Sequence, residues 1–224
     1  MTDTALTTGN PTNRRGGSVG VKRGLLLAAT LASLAGMVDA IGYLHLGGLF
    51  VSFMSGNSTQ LGAVLGQARF ADGGVIAELV ALFVLGAEAG QIVAALTGYR
   101  HMTWVLIGVT SMLTVAAVSA AAPEPMVLAM GALNASMHRA GSLPVSLTFV
   151  TGVLVRFGQG LGDFLTRRSA GWGWLAQASP WVGLMSGAIV GAAVYGLIGD
   201  ATIWIAVAFS GVLAAVSAAI SQPD

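Results

Sequence analysis

Long apolar runs separated by short polar or Gly/Pro-rich breaks make up most of this chain. Helix-breaking residues mark the breaks, among them Gly73-Gly74, Pro123 and Gly199-Asp200. Several runs reach the roughly 20 apolar residues that a helix needs to span a bilayer. The pattern predicts an all-α, polytopic helical membrane protein with apolar segments at 24–46, 47–66, 75–97, 103–122, 125–141, 144–165, 179–198 and 201–221.

The beginning of the chain differs from the rest. Residues 1–23 are rich in Thr, Asn, Gly and Arg and lack apolar periodicity, so we interpret them as a disordered cytoplasmic tail. The apolar run that follows continues to Leu46 and is succeeded by further runs, which favours an uncleaved first span over a signal peptide. Residues 24–221 are predicted to form a single integral membrane domain.

Composition supports the membrane class and narrows the chemistry. Of the 224 residues, 55% are hydrophobic and 8% are charged, whereas soluble domains carry about 25% charged residues. A net charge of +1 without a long basic run argues against a nucleic acid partner. The chain has no cysteine, its three histidines lack metal-ligand spacing, and no familiar catalytic motif is present. We therefore expect that the protein binds no cofactor and no metal and that it is not an enzyme.

Three short motifs recur in the same order in the two halves of the chain. GMVDA at 36–40 resembles GALNA at 131–135, SFMSG at 52–56 resembles TFVTG at 148–152, and GAEAG at 86–90 resembles GAIVG at 187–191. Ordered copies at a nearly constant spacing are typical of an internal duplication. We predict two homologous halves, 24–122 and 125–221, with chance similarity among Gly/Ala-rich segments as the alternative.

The number of spans depends on the second segment of each half, 47–66 and 144–165. If both segments cross the membrane, there are eight spans and the halves run parallel. If both are broken or re-entrant, there are six spans and the halves are inverted. When Arg156 is left out because it lies within a segment, the cytoplasmic and external basic residues number seven and two with eight spans, and eight and one with six. We predict about six spans, with eight as the alternative, and both termini in the cytoplasm.

A polar break interrupts the segment 47–66. Ser55, Gly56, Asn57, Thr59 and Gln60 lie in it, and the apolar flanks are each too short to span alone. A break facing lipid would leave backbone amides unpaired, so we expect it to face protein or a water-filled cavity. A continuous helix in which Ser55 and Gly56 pack against a neighbour is the alternative.

The counterpart of this break is less polar. Thr151-Gly152 occupies the equivalent place in the second half and is followed by three apolar residues. Discontinuous helices in paired positions of two halves often form the substrate site of a secondary transporter. We therefore predict an asymmetric site, formed mainly by the first half, to which Thr151 contributes.

The motifs around the break resemble a known family. The stretches GMVDAIGY at 36–43 and LGGLFVSFMSGNSTQLG at 46–62 are similar to the signature of the YoaK-like family, the bacterial domain of unknown function 1275 family. The resemblance extends through FVTG at 149–152 and LVRFG at 154–158, but Leu133 stands where the family pattern has Gln. It implies a multi-spanning inner-membrane protein of about six helices, and it implies no activity.

Four further polar residues lie inside apolar segments. An ionised Asp near the centre of a bilayer costs about 2.5–3.5 kcal/mol, so Asp39 needs a partner, a proton or water. Its counterpart Asn134 is uncharged, which would permit an Asp–Asn contact between the halves. Glu88 is a second candidate coupling carboxylate, and Arg156 a candidate counter-ion for either acid. The alternative for Asp39 is a structural hydrogen bond between helices or a place close to the interface, and the alternative for Glu88 is an acid whose partner is Gln91 or water.

These observations lead to two functional hypotheses. The first is a transporter or permease-like protein of the bacterial inner membrane, which binds a small solute or ion. The second is a membrane scaffold or regulatory protein that transports nothing. The partners are the lipid bilayer and the solute, and a homo-oligomer is left open. The predicted site comprises Asp39, Ser55, Asn57, Thr59, Gln60, Glu88, Asn134, Thr151 and Arg156.

Overall fold

The structure is a computed structural model that describes residues 12–137, 150–168 and 173–220. These residues form eight α-helices and three short 3-10 turns, and they contain no strand, which confirms the predicted all-α class. The helices are α1 (Thr12–His45), α2 (Met54–Gly66), α3 (Phe70–Thr97), α4 (His101–Val118), α5 (Pro123–Met137), α6 (Val150–Leu165), α7 (Ser179–Ile198) and α8 (Ile203–Ile220).

Three stretches are long and apolar enough to cross a membrane. They are Gly24–His45 in α1, Phe70–Val118 in α3 and α4, and Trp174–Ile220 in α7 and α8. The last two each contain two helices that meet at a glycine with positive φ, Gly98 at 55° and Gly199 at 61°. Helix α2 has 13 residues, about 20 Å of helix, and is too short to cross a hydrocarbon core of about 30 Å.

Helix α1 also extends before the predicted first span. It begins at Thr12, within the segment 1–23 that we interpret as a disordered tail, and residues 1–11 lie outside the described residues.

Glycines set the packing of α1 against α7. A Cβ atom at any of three α7 glycines would overlap a backbone carbonyl of α1, so only glycine permits this close approach. The residue numbers of the contacting pairs rise together along both helices, which means that α1 and α7 run parallel. The contacts are Gly183 with Ala29, Gly187 with Ser33, and Gly191 with Met37.

The same packing recurs between α3 and α5. Gly86 lies against Leu128, and Gly90 lies against Ala132. In the repeat, Gly86 and Gly90 correspond to Gly187 and Gly191, while Leu128 and Ala132 correspond to Ser33 and Met37. The first helix of each half thus packs against the third helix of the other half.

Helices α4 and α8, the last helices of the two halves, pack on each other. The hydroxyls of Thr103 and Ser217 are 2.9 Å apart, and those of Thr110 and Ser210 are 3.0 Å apart. Residue numbers in these two contacts rise along α4 and fall along α8, so the two helices are antiparallel. Because they hold equivalent positions in the repeat, the two halves are inverted.

The segment 47–66 enters the fold and leaves it on the same side. After α1 ends at His45, the chain turns back, and the amide groups of Val51 and Ser52 reach Asp39 inside α1. Helix α2 then returns towards the start of α3, where Leu65 lies against Gly73. A re-entrant segment is therefore present in the first half, and the three long apolar stretches contain α1, α3, α4, α7 and α8. Helix α5 has 15 described residues and packs against α3, and residues 138–149 that follow it lie outside the described residues.

The apolar core lies where α1, α4, α5 and α8 meet. Its fully buried side chains include Leu31, Leu34, Leu106, Leu113, Met126, Met130, Leu133 and Ile203. Many other large apolar side chains are exposed on the outer faces of the helices. Such a surface suits a protein whose surrounding solvent is lipid.

Candidate functional site

Asp39 holds the re-entrant segment against α1. Its Oδ1 atom accepts hydrogen bonds from the backbone amides of Val51 and Ser52, both at 2.8 Å. These amides precede α2 and have no helical partner of their own, so the carboxylate satisfies two donors that would otherwise be buried and unpaired. The two amide dipoles in turn stabilise negative charge on Oδ1.

Asn57 completes the same turn from the other side. Its side chain is fully buried; Oδ1 accepts from the Phe50 amide at 2.9 Å, and Nδ2 donates to the Phe50 carbonyl at 2.6 Å. The carboxamide therefore pairs with both backbone groups of one residue, as a neighbouring strand would. This is why an amide, with one donor and one acceptor side, suits this position.

Gln60 and a pair of glycines shape the start of the segment. Gln60 Nε2 donates to the Gly48 carbonyl at 2.9 Å, and the Gly48 amide donates to the Tyr43 carbonyl at 2.9 Å, closing the end of α1. Gly47 and Gly48 have φ values of 63° and 111°, which glycine adopts without the steric cost of a Cβ.

Aromatic rings cover the turn. The Phe50 ring lies 4.9 Å from the Tyr43 ring and 5.3 Å from the Phe53 ring, measured between centroids. A Cβ atom at Gly56 would lie 2.6 Å from Phe53 Cδ1, so the rings require glycine there. The break expected at Ser55, Gly56 and Asn57 lies instead just before α2, because Gly56 is inside this helix and packs against Phe53 and Phe50, which precede it.

A cavity of about 330 Å³ opens beside Asp39, between α1 and α7. Among the described residues, Asp39 is the one charged residue that lines it, and the rings of Tyr43 and Phe50 form part of its wall. The rest of the lining is apolar and mostly small: Gly36, Ala40, Leu44, Leu184, Ala188 and Ala192. The cavity thus presents one carboxylate within a largely apolar surface.

The structure places the other predicted residues of α2 on its surface. Ser55 and Thr59 are exposed, and the Thr59 hydroxyl donates to the Ser55 carbonyl at 3.0 Å. This bond lies within one turn of the helix. Neither residue lines the cavity beside Asp39.

Glu88, Thr151 and Arg156 do not line the cavity beside Asp39 either. Glu88 is exposed on α3, and Thr151 and Arg156 are exposed on α6. Within the described ranges, the recorded ion pairs are Arg69–Asp72 and His45–Asp200, so Arg156 is not seen as a counter-ion of Asp39 or Glu88.

Asn134 occupies the place of Asp39 in the second half. It is 5% exposed; its Nδ2 donates to the Met130 carbonyl at 2.9 Å, and its Oδ1 is buried without a partner among the described residues. No hydrogen bond joins Asn134 to Asp39 among the described residues. Residue 138, the histidine one turn after Asn134, lies outside the described residues.

One polar cluster has no counterpart in the sequence analysis. Asp200 Oδ1 lies 2.8 Å from His45 Nδ1 and accepts from the Tyr195 hydroxyl at 3.1 Å. His45 ends α1 and Asp200 follows α7, so the cluster ties together the ends of two parallel helices. Positions 45 and 200 each stood at a segment boundary, but no sequence pattern links two residues so far apart.

Comparison with known proteins gives the family. Residues 27–216 match the family described as "Protein of unknown function (DUF1275)". The chain is 39% identical over 188 residues to the UPF0700 transmembrane protein RA0705 of Rhizobium meliloti (strain 1021), an alignment that covers 81% of this chain and 80% of that protein. No solved structure matches the chain. The chain is a membrane protein, and it belongs to the DUF1275 family of proteins of unknown function.

Proposed function

We propose that this protein is a transporter or permease-like protein for a small solute. The observation that carries the proposal is the cavity of about 330 Å³ in which the Asp39 carboxylate meets a re-entrant segment. Secondary transporters often bind substrate where a helix is discontinuous inside an inverted repeat. This fold has an inverted repeat, and its re-entrant segment bonds to the Asp39 carboxylate.

The distribution of basic residues supports an orientation. Arg100 follows α3, and Arg167 and Arg168 follow α6 beside the segment leading into α7, on the side of the molecule where α1 begins. Arg69 lies on the opposite side, between α2 and α3. By the positive-inside rule, the first side is cytoplasmic. We therefore propose a bacterial cytoplasmic membrane location with both termini in the cytoplasm, and the cavity nearer the outer face.

A scaffold or regulatory protein without transport is the second candidate. The observation that favours it is that Asp39, Asn57 and Gln60 all bond to the backbone of the re-entrant segment. Side chains engaged in this way hold the segment in place even when no solute is bound.

A solute screen followed by a flux measurement separates the candidates. Solutes that raise the unfolding temperature of the purified protein would be loaded as isotope-labelled compounds into proteoliposomes. A transporter moves such a solute, and Asp39→Asn removes at least most of the flux while the variant stays folded. Asp163→Asn, an exposed acid on α6, is the matched control and keeps the flux.

The result that overturns the transport proposal is equally concrete. A stabilising solute that the wild-type protein binds but does not move across the bilayer would leave the scaffold as the better description. So would an Asp39→Asn variant that is folded and transports at the wild-type rate.

A further inference from the structure

We propose that the cavity beside Asp39 binds an organic ammonium cation with a small apolar body. This inference rests on the proposed function and specifies the class of solute. Three features of the cavity carry it: a carboxylate with no cationic partner among the described residues, an aromatic wall and a small apolar remainder.

The charge balance of the cavity calls for a cation. Asp39 contributes a carboxylate, and no Lys, Arg or His is among the described residues that line the cavity. Its hydrogen-bond donors are neutral groups of the re-entrant segment, among them the amides of Val51 and Ser52, and the ion pairs of the described residues do not include it. A carboxylate in a bilayer without a cationic partner is costly. A bound ammonium group would supply that partner.

The aromatic wall favours an ammonium group over other cations. The rings of Tyr43 and Phe50 lie 4.9 Å apart and both line the cavity that contains the carboxylate. Faces of aromatic rings attract organic cations, and the attraction strengthens when water is excluded. A metal ion such as Na⁺ or Ca²⁺ needs several oxygen ligands instead. The apolar lining does not offer them.

Size and polarity define the rest of the solute. A volume of about 330 Å³ lies at the lower end of the range for small-molecule sites. Gly, Ala and Leu residues of α1 and α7 form most of the remaining wall. The solute we infer therefore carries one positive charge at one end and a compact hydrocarbon or aryl group at the other.

Calorimetric titration with a matched pair of probes tests the inference. The full chain in phosphatidylcholine nanodiscs is titrated with 2-phenylethylamine, cationic at pH 7, and with its neutral analogue 2-phenylethanol, with empty nanodiscs as baseline. We expect the amine to bind at least about tenfold more tightly than the alcohol, because a charged hydrogen bond contributes more than a neutral one. Asp39→Asn should weaken the amine by a similar factor and leave the alcohol unchanged.

A second pair of variants keeps the test valid if Asp39→Asn does not fold. Ala192→Leu places side chain atoms in the cavity and should weaken the amine at least about tenfold. Ala193→Leu makes the same change at an exposed neighbouring position and should leave the amine affinity as it is. Equal weakening by both variants would contradict the site.

The outcomes distinguish this inference from the proposed function. Equal affinity for amine and alcohol overturns the cationic class while leaving a solute cavity, and with it the proposed function, intact. Absence of binding by either probe also overturns the inference, whereas the flux assay judges transport on its own stabilising solutes. Amine binding that depends on Asp39 without any flux supports the inference and contradicts transport.

Discussion

The hydroxyl oxygens of Thr103 on α4 and Ser217 on α8 lie 2.9 Å apart, although 114 positions separate the two residues. Seven residues further along α4, Thr110 bonds to Ser210, which lies seven residues earlier on α8. This antiparallel register, between helices that occupy equivalent places in the repeat, is what makes the two halves inverted.

Cysteine pairs provide a direct check of this register, because the natural chain contains no cysteine. Thr103→Cys combined with Ser217→Cys should form a disulfide on mild oxidation, since the two side chains already meet. The control pair is Thr103→Cys with Ser210→Cys, which a parallel register would favour. Cross-linking of the control pair in preference to the first, seen as loss of thiol labelling, would contradict the inverted arrangement.

The glycine packing of α1 and α7 predicts a position-specific loss of stability. Gly187→Ala would force its Cβ against the Ser33 carbonyl, and overpacking of this kind costs about 1–3 kcal/mol. Gly196→Ala is the control on the same helix, because open space surrounds that glycine. We expect Gly187→Ala to lower the unfolding temperature in detergent and Gly196→Ala to leave it unchanged or raise it. Equal effects at both positions would argue against close packing at Gly187.

Asn57 should contribute more to stability than its polar neighbours on α2. Asn57→Leu removes both partners of the Phe50 backbone groups, and each buried group left unpaired costs about 1–3 kcal/mol. Ser58→Ala, at the adjacent exposed position, is the control and should be neutral. Thermal unfolding of the two purified variants gives the comparison. A wild-type unfolding temperature for Asn57→Leu would mean that the re-entrant turn does not depend on this amide.

The orientation we propose predicts which positions can be labelled from outside the cell. In the cysteine-free chain, Arg69→Cys should react with a membrane-impermeant maleimide in intact cells, because it lies between α2 and α3 on the proposed outer side. Arg100→Cys should react only after the membrane is opened. The reverse pattern would support the eight-span alternative.

Much of the architecture could be predicted from the sequence. Apolar length decides whether a helix can span a bilayer, and glycine at helical spacing decides how closely two helices approach, so both are visible in local composition. The copies GAEAG and GAIVG accordingly became the equivalent contact surfaces of α3 and α7. The interrupted segment 47–66 was visible for the same reason, but the expected place of the break at Ser55, Gly56 and Asn57 was wrong. These residues lie inside α2, and the chain is non-helical just before α2, where the Asn57 side chain bonds to the backbone of Phe50.

The candidate site could be predicted only in part. Asp39, Asn57 and Gln60 come together, but Glu88, Thr151 and Arg156 lie elsewhere on the surface. Polarity inside an apolar segment shows that a residue needs a partner, and it does not show where that partner lies. A single site shared by both halves requires short distances between side chains of the two halves. The spacing of residues along the sequence does not show those distances.

The sequence by itself determined the helical membrane class, the recurring motifs and the segment 47–66 that does not form a full span, because each follows from the order of residue types along the chain. Only the tertiary structure decided that the halves are inverted, that Asp39 receives the amides of Val51 and Ser52, and that Tyr43 and Phe50 wall a cavity beside it. The physical reason is that backbone amides are the same in nearly every residue. Which of them meets a carboxylate depends on the path of the chain through space.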